Sequence, residues 1–393
     1  MSTEIDVYRE LQRHLDRLAI GFPPTESGVD LRILKHLFAP EEARIAMRLS
    51  MLPEPLSPIY RRVRKTGMTI GRLEQSLDAM VKKGIVSSRV RNGKKHYSNE
   101  MLAVGMYEHQ VDRLTRGFAE DMLQYLNEAF ATELNSTRIP QLRTIPIEKA
   151  IPQEYSVATY DKIRDILGRI DSQIVVANCV CRQAKDVVGD RCHQTDLRET
   201  CLVFGSAAQH YLDMGLAHPI SRDEAFDILR KAEDAGLVLQ PINSQHPQAV
   251  CCCCGDCCGL LMAMKKHPHP AELCGSTYYA EVDADLCNAC QACVDRCQMQ
   301  AMTLLDDVCK VDRDRCIGCG ICVANCTTKA VRLHQKERIS LPPESTGTTY
   351  ANILARKFGK WHMVKLGMKR MVGRQVQRFA PDDGLLMAGG PRS

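Results

Sequence analysis

Residues 251–259 read CCCCGDCCG. Six of these nine positions are cysteine, in a chain of 393 residues with 20 cysteines in all. Folding alone asks for no such density, and a reducing compartment supplies no disulfide framework to explain it. The run therefore reads as ligand chemistry, with iron–sulfur and zinc as the thiolate-bound options. Neighbouring cysteines in an extended run cannot all face one centre. Adjacent pairs then serve two sites, or one ligand and one wall. Cys251, Cys254 and Cys257 share C-x2-C-x2-C spacing and are assigned to one site, its fourth ligand coming from the Cys179–Cys201 segment.

No cysteine precedes Cys179 or follows Cys326, so a cysteine-free head and a basic cysteine-free tail flank a cysteine-rich body. Upstream of the run, residues 178–201 read NCVCRQAKDVVGDRCHQTDLRETC. The expected ligands of one or two further clusters are Cys179, Cys181, Cys192, Cys201, Cys251, Cys253, Cys254, Cys257 and Cys258, with zinc as the alternative metal. Arg182 is placed to offset thiolate charge. His193, His267 and His269 read as loop or turn histidines, and Cys309 as a packing thiol.

Downstream, residues 287–297 (CNACQACVDRC) and 316–326 (CIGCGICVANC) are two copies of C-x2-C-x2-C-x3-C. They lie in an internal repeat, VDADLC…AMTL and VDRDRC…AVRL. This stretch, about 280–336, resembles a bacterial-type two-[4Fe–4S] ferredoxin domain. The resemblance implies Cys287, Cys290, Cys293 and Cys326 on one cluster and Cys316, Cys319, Cys322 and Cys297 on the other. Gln298 and Thr327 stand where that family usually has proline. The order of segments as a whole resembles multi-cluster ferredoxin-like proteins of anaerobes.

Residues 28–98 give helices, then two short strands around Asn92-Gly93, a strong hairpin signal. The order resembles a winged helix-turn-helix domain. Between residues 60 and 96 there are 11 Lys/Arg and two acidic residues. Arg72, Gln75, Lys82, Lys94 and Lys95 are the candidate surface for DNA or a protein partner. A long amphipathic helix is expected over 101–131, as a dimerisation element. A Pro/Ile-rich linker begins at residue 138 and marks a domain boundary. At the other end, residues 350–380 hold eight Lys/Arg and no acid, with an apolar stripe through Phe358, Trp361 and Met368 beside Lys365. That basic amphipathic helix suits an anionic membrane surface, a partner groove, or the protein's own surface.

The fold class expected is α+β: a winged-helix-like domain (1–137), a cysteine-rich α/β domain (138–279), a dicluster domain (280–336) and a basic tail (337–393). The N-terminus has no apolar signal run, and no stretch approaches the roughly 18 apolar residues of a membrane helix. A cytoplasmic location follows, with peripheral contact at the inner membrane face as a variant. No nucleotide-binding glycine motif or hydrolytic triad is visible. The expected function is single-electron relay through two [4Fe–4S] clusters and one or two more to a partner oxidoreductase, in anaerobic metabolism. Such a chain is a carrier or oxidoreductase subunit without catalytic residues of its own. The alternative is a redox-sensing regulator that binds DNA through the winged helix.

Overall fold

The computed structural model describes residues 2–151 and 161–359. It is an α+β fold of many helices and small antiparallel sheets. Helices α1 (Ser2–Leu15), α2 (Val29–Leu37) and α3 (Pro40–Ala46) pack together at the N-terminus. Strand β1 (Glu54–Pro55), helices α4 (Leu56–Val63) and α5 (Ile70–Lys82), and the hairpin β2 (Val86–Arg91) and β3 (Lys94–Asn99) follow. The three strands pair antiparallel in the order β1-β3-β2. Asn92 (φ 50°) and Gly93 (φ 70°) both take the left-handed region that a two-residue turn of this hand requires.

The single long helix expected over 101–131 is not formed. Residues 102–106 make a distorted turn with non-helical backbone at Ala103, Val104 and Gly105. Asp112 sits at φ 63°, and Thr115 starts a new helix by accepting the Phe118 N–H at 3.3 Å. The apolar period runs through this stretch, but the Thr115 cap and the left-handed residue divide it. Helices α6 (Arg116–Tyr125) and α7 (Ala131–Asn135) carry the remainder.

After α8 (Ile163–Gly168), the middle of the chain builds a five-stranded antiparallel sheet ordered β6-β4-β5-β8-β7. Its strands are β4 (Ile174–Asn178), β5 (Glu199–Phe204), β6 (His218–Ile220), β7 (Val238–Pro241) and β8 (Ala249–Cys253). Helices α9 (Val180–Val188), α10 (Gly205–Asp213) and α11 (Arg222–Asp234) connect them. Helix α11 opens on the expected capping box: Ser221 Oγ accepts the Glu224 N–H, and Glu224 Oε2 accepts the Ser221 N–H.

Strand alternation sends the two faces of this sheet into different cores. Val175, Ala177, Val203 and Ala249 join the core of the N-terminal helices. Ile174, Val176, Leu202, Phe204, Val250 and Cys252 join a second core shared with the C-terminal segment. The N-terminal helices and the middle sheet thus share apolar packing across the boundary expected at 137/138.

Helix α12 (Gly259–Lys265) follows the cysteine run. The C-terminal repeat then contains β9 (Tyr278–Val282), α13 (Ala292–Asp295), β10 (Met302–Leu305), β11 (Val308–Val311), α14 (Ile321–Ala324) and β12 (Val331–Gln335). Strand β9 pairs with β12, and β10 with β11. Helix α15 (Thr346–Phe358) returns to the N-terminal core: Ile353 and Leu354 are buried in it, and Lys357 Nζ lies 2.7 Å from Glu133 Oε1. This much of the basic tail packs on the protein itself. Trp361, Lys365 and Met368 lie outside the described residues. No described helix is long and apolar enough to cross a membrane.

Candidate metal centre

Strand β8 ends inside the cysteine run, and the chain then turns at residues 254–258 into α12. The turn needs its glycine. Gly255 N–H donates to Gln298 Oε1 at 2.6 Å, and a β-carbon at 255 would lie 2.4 Å from the Gln298 carbonyl oxygen. Lys265 Nζ closes the turn by donating to the Gly255 carbonyl at 2.7 Å. Opposite it lies the loop after α9, which leaves the helix through Gly189 at φ 89°.

These two segments bring four ligating side chains together. One donor atom each of Cys192, Cys254, Asp256 and Cys257 lies within 4.8 Å of the other three. Cys192 Sγ is 3.7 Å from both Cys254 Sγ and Asp256 Oδ1. Asp256 Oδ2 accepts the His193 N–H at 2.9 Å, which orients the carboxylate. Burial works against charge on Asp256. Hydrogen bonds from the Cys254 thiol, the backbone N–H groups of His193 and Asp256, and the Cys257 thiol nevertheless hold it below the usual carboxylate range. The Cys257 thiol donates to Cys254 and holds that thiol down in spite of its burial. Cys192 goes the other way, raised first by burial and then by the charge of Cys254. Three thiols and one carboxylate this close together are a donor set suited to a thiophilic divalent ion.

The rest of the run faces elsewhere. Cys251 stands directly across the strand pair from Cys201, and residues 251 and 253 share one strand face. Cys179, Cys181, Cys201, Cys251, Cys253 and Cys258 are close enough that each thiol shifts the ionisation of its neighbours. These six thiols border a cavity of about 80 Å³, which Cys254 and Cys257 also touch. Cys252 points into the second core, where burial pushes its thiol well up.

Of the three run cysteines assigned to one site, Cys254 and Cys257 meet a remote partner, Cys192. Cys251 does not join them, because it is still in the strand and faces the chamber. Asp256 was not read as a ligand, although it is the one carboxylate in the run.

The motif cysteines of the repeat fall into two groups. Cys287, Cys290, Cys293 and Cys326 border a cavity of about 10 Å³, together with Cys309. Cys297, Cys316, Cys319 and Cys322 border another of about 20 Å³. Backbone N–H groups point at some of the sulfurs: Ala280 to Cys316 at 3.3 Å and Ala301 to Cys297 at 3.2 Å.

Comparison with protein-family models, with curated proteins and with solved structures returns no match for this chain.

These findings correct the reading drawn from the motifs. Spacing predicts two four-cysteine [4Fe–4S] centres and further iron–sulfur or zinc sites. Among the described residues, one group alone closes to metal-ligand distance, and it mixes three thiols with a carboxylate. Chain spacing brings the motif cysteines around common cavities but leaves them spread, with no three donor atoms mutually within 4.8 Å. The ferredoxin resemblance, the iron–sulfur cofactors, the single-electron relay and the oxidoreductase-subunit role are set aside on that finding.

The regulator alternative falls with the clusters it was to sense. Its DNA surface is also partly neutralised: Arg72 pairs with Glu41 at 3.1 Å and Lys95 with Asp78 at 2.8 Å. Gln75 and Lys82 are exposed on α5 and Lys94 at the hairpin tip, without a further feature that points to nucleic acid.

Proposed function

We propose that this chain is a metal-binding protein whose centre takes one thiophilic divalent cation on Cys192, Cys254, Cys257 and Asp256. The observation that carries the reading is the mutual approach of these four donors within 4.8 Å, from segments more than 60 positions apart. Such an approach has a cost when no ion is present, because thiolate and carboxylate repel and their desolvation is unfavourable. An ion of charge +2 reverses that balance.

The ion's role is that of a clasp. It ties the loop after α9 to the turn that leads into α12, so the strand pair β5–β8 is fixed at the end where the cysteines cluster. Ligands must deprotonate on binding, so affinity rises with pH through the thiol range. Cys254, already held down by Cys257, is the first donor to engage.

The test is titration of the full, reduced chain with Co²⁺ as a spectroscopic probe, followed by displacement with Zn²⁺. One equivalent with intense sulfur-to-cobalt charge-transfer bands and tetrahedral ligand-field bands is expected. Cys254→Ser and Asp256→Asn should weaken it, the cysteine change more. Unchanged spectra and stoichiometry in Cys192→Ser, Cys254→Ser and Cys257→Ser would reject the site.

A further inference from the structure

The chamber beside the clasp has its own chemistry. Its six thiols, Cys179, Cys181, Cys201, Cys251, Cys253 and Cys258, line one cavity, Cys201 and Cys251 face each other across paired strands, and no three of the six sulfurs lie mutually within 4.8 Å. The sulfurs therefore offer pairs, where the clasp offers four donors together. Two further groups face the same space without a partner: Arg182 Nε and Tyr107 Oη are buried and make no hydrogen bond. The other Arg182 nitrogens have protein partners: Nη1 donates to Leu197 O at 3.1 Å and Thr200 Oγ1 at 2.8 Å, and Nη2 donates to Cys252 O. Arg182 itself is 0% exposed. An unused N–H and an unused O–H at the wall of a buried cavity call for an anionic acceptor.

We propose that this chamber binds soft monovalent d10 metal ions, Cu(I) being the probe, each between two thiolates, and that Arg182 and Tyr107 stabilise the anionic complex. Soft, low-charge ions favour thiolate ligands, and pairs of sulfurs suit their low coordination number. The balance is closed: Cu⁺ and two thiols give a bis(thiolate)copper(I) anion and two protons, which leave to solvent. No electron changes hands. The first ion leaves one net negative charge, which the Arg182 guanidinium offsets and the Tyr107 hydroxyl meets as a donor. Cys201 and Cys251 stand directly opposite each other on the paired strands β5 and β8, and Cys253 lines the cavity on the same strand face as Cys251. A cavity of about 80 Å³ admits ions of this size without bulk water.

The experiment uses the full chain, reduced and anaerobic, with Cu(I) supplied against a chromogenic Cu(I) chelator. X-ray absorption at the copper edge reads the coordination. The wild type should hold its tightest Cu(I) in two-coordinate sulfur geometry. Cys253→Ser with Cys258→Ser should remove that phase, whereas Cys254→Ser should keep it. Tyr107→Phe should weaken it roughly tenfold, the loss of one hydrogen bond to a charged group. Far-UV circular dichroism shows that all the variants fold, and an unchanged Co²⁺ spectrum of the clasp adds to it for the Tyr107→Phe and Cys253→Ser/Cys258→Ser variants. Tight Cu(I) that survives the double variant, or a copper environment of three or four sulfurs, would overturn the proposal.

Discussion

One cysteine run serves two regions of opposite character. At the clasp, Cys254 and Cys257 meet a carboxylate, a half-buried Cys192 and a backbone N–H, and the turn is held by Gln298 and Lys265. In the chamber, Cys251, Cys253 and Cys258 face buried thiols and the side of a fully buried arginine. The residue type is the same throughout. What differs is the backbone. Within β8, alternation separates Cys251 and Cys253 from Cys252, whereas beyond Cys253 the turn at Gly255 re-aims Cys254 and Cys257 toward the loop after α9. Cysteine spacing along the chain is thus a weak guide to which sulfurs share an ion, and the strand-to-turn boundary is the stronger one.

The largest effect that would break this comparison is an exchange of roles between the regions. Cys254→Ser should cost the divalent site at least roughly 100-fold in affinity, because it removes a ligand and leaves its neighbours uncompensated. Cys253→Ser, one residue away, should leave that affinity within about threefold, since it faces the chamber. Isothermal titration with Zn²⁺ of the two variants reads the difference directly. Equal losses would merge the two regions into one site.

The pH dependence of stability should run in opposite directions on the two sides. At the chamber wall, burial raises Glu108 to about 8, with the charges of Cys251 and Glu100 adding to it and the Gly105 N–H opposing it. A carboxyl raised in the folded state contributes stability that is whole below its ordinary value of 4.5 and is lost as pH climbs through about 8. The loss is on the order of a few kcal/mol. At the clasp, Asp256 is held low, so its contribution is present above the unfolded carboxylate range and lost as acid protonates it. Thermal melts across pH should show an alkaline decline that Glu108→Gln removes and an acid decline that Asp256→Asn reduces. An alkaline decline unaltered in Glu108→Gln would contradict the assignment.

A smaller effect should follow from Gly255→Ala. The added carbon would meet the Gln298 carbonyl at 2.4 Å, so the turn must shift. We expect about 1–3 kcal/mol of destabilisation and a weaker divalent site, with Cu(I) binding in the chamber unchanged. Denaturant melts with and without Zn²⁺ separate the two contributions.

Much of the local fold was legible in the sequence. The Asn92-Gly93 hairpin, the Ser221–Glu224 capping box and the strand that runs into Cys179 all follow from short-range rules. The long helix over 101–131 was misread because apolar period alone does not register the Thr115 cap or the left-handed Asp112. The candidate site was legible in composition and not in connectivity. Cysteine density pointed to ligands, and Cys254 and Cys257 with a remote Cys192 fell within the expected set. Asp256 carries no signal of its own in the sequence, because a lone carboxylate in a run of six cysteines has no ligand spacing to mark it. The roles of Gln298 in packing the turn and of Arg182 Nε in the chamber depend on contacts between distant segments. No pattern along the chain encodes those contacts. In the repeat, motif spacing predicted cluster chemistry that the mutual distances of the donor atoms do not carry.

The central claim is that one mixed thiolate–carboxylate centre holds the divalent metal of this chain. Its most direct test is elemental analysis of the full protein, purified without oxygen and without added metal, with acid-labile sulfide measured on the same sample. The account predicts about one thiophilic divalent ion per chain, lost in Cys254→Ser, and no stoichiometric sulfide. Roughly eight or more iron atoms per chain, with matching sulfide that survives Cys254→Ser, would contradict it.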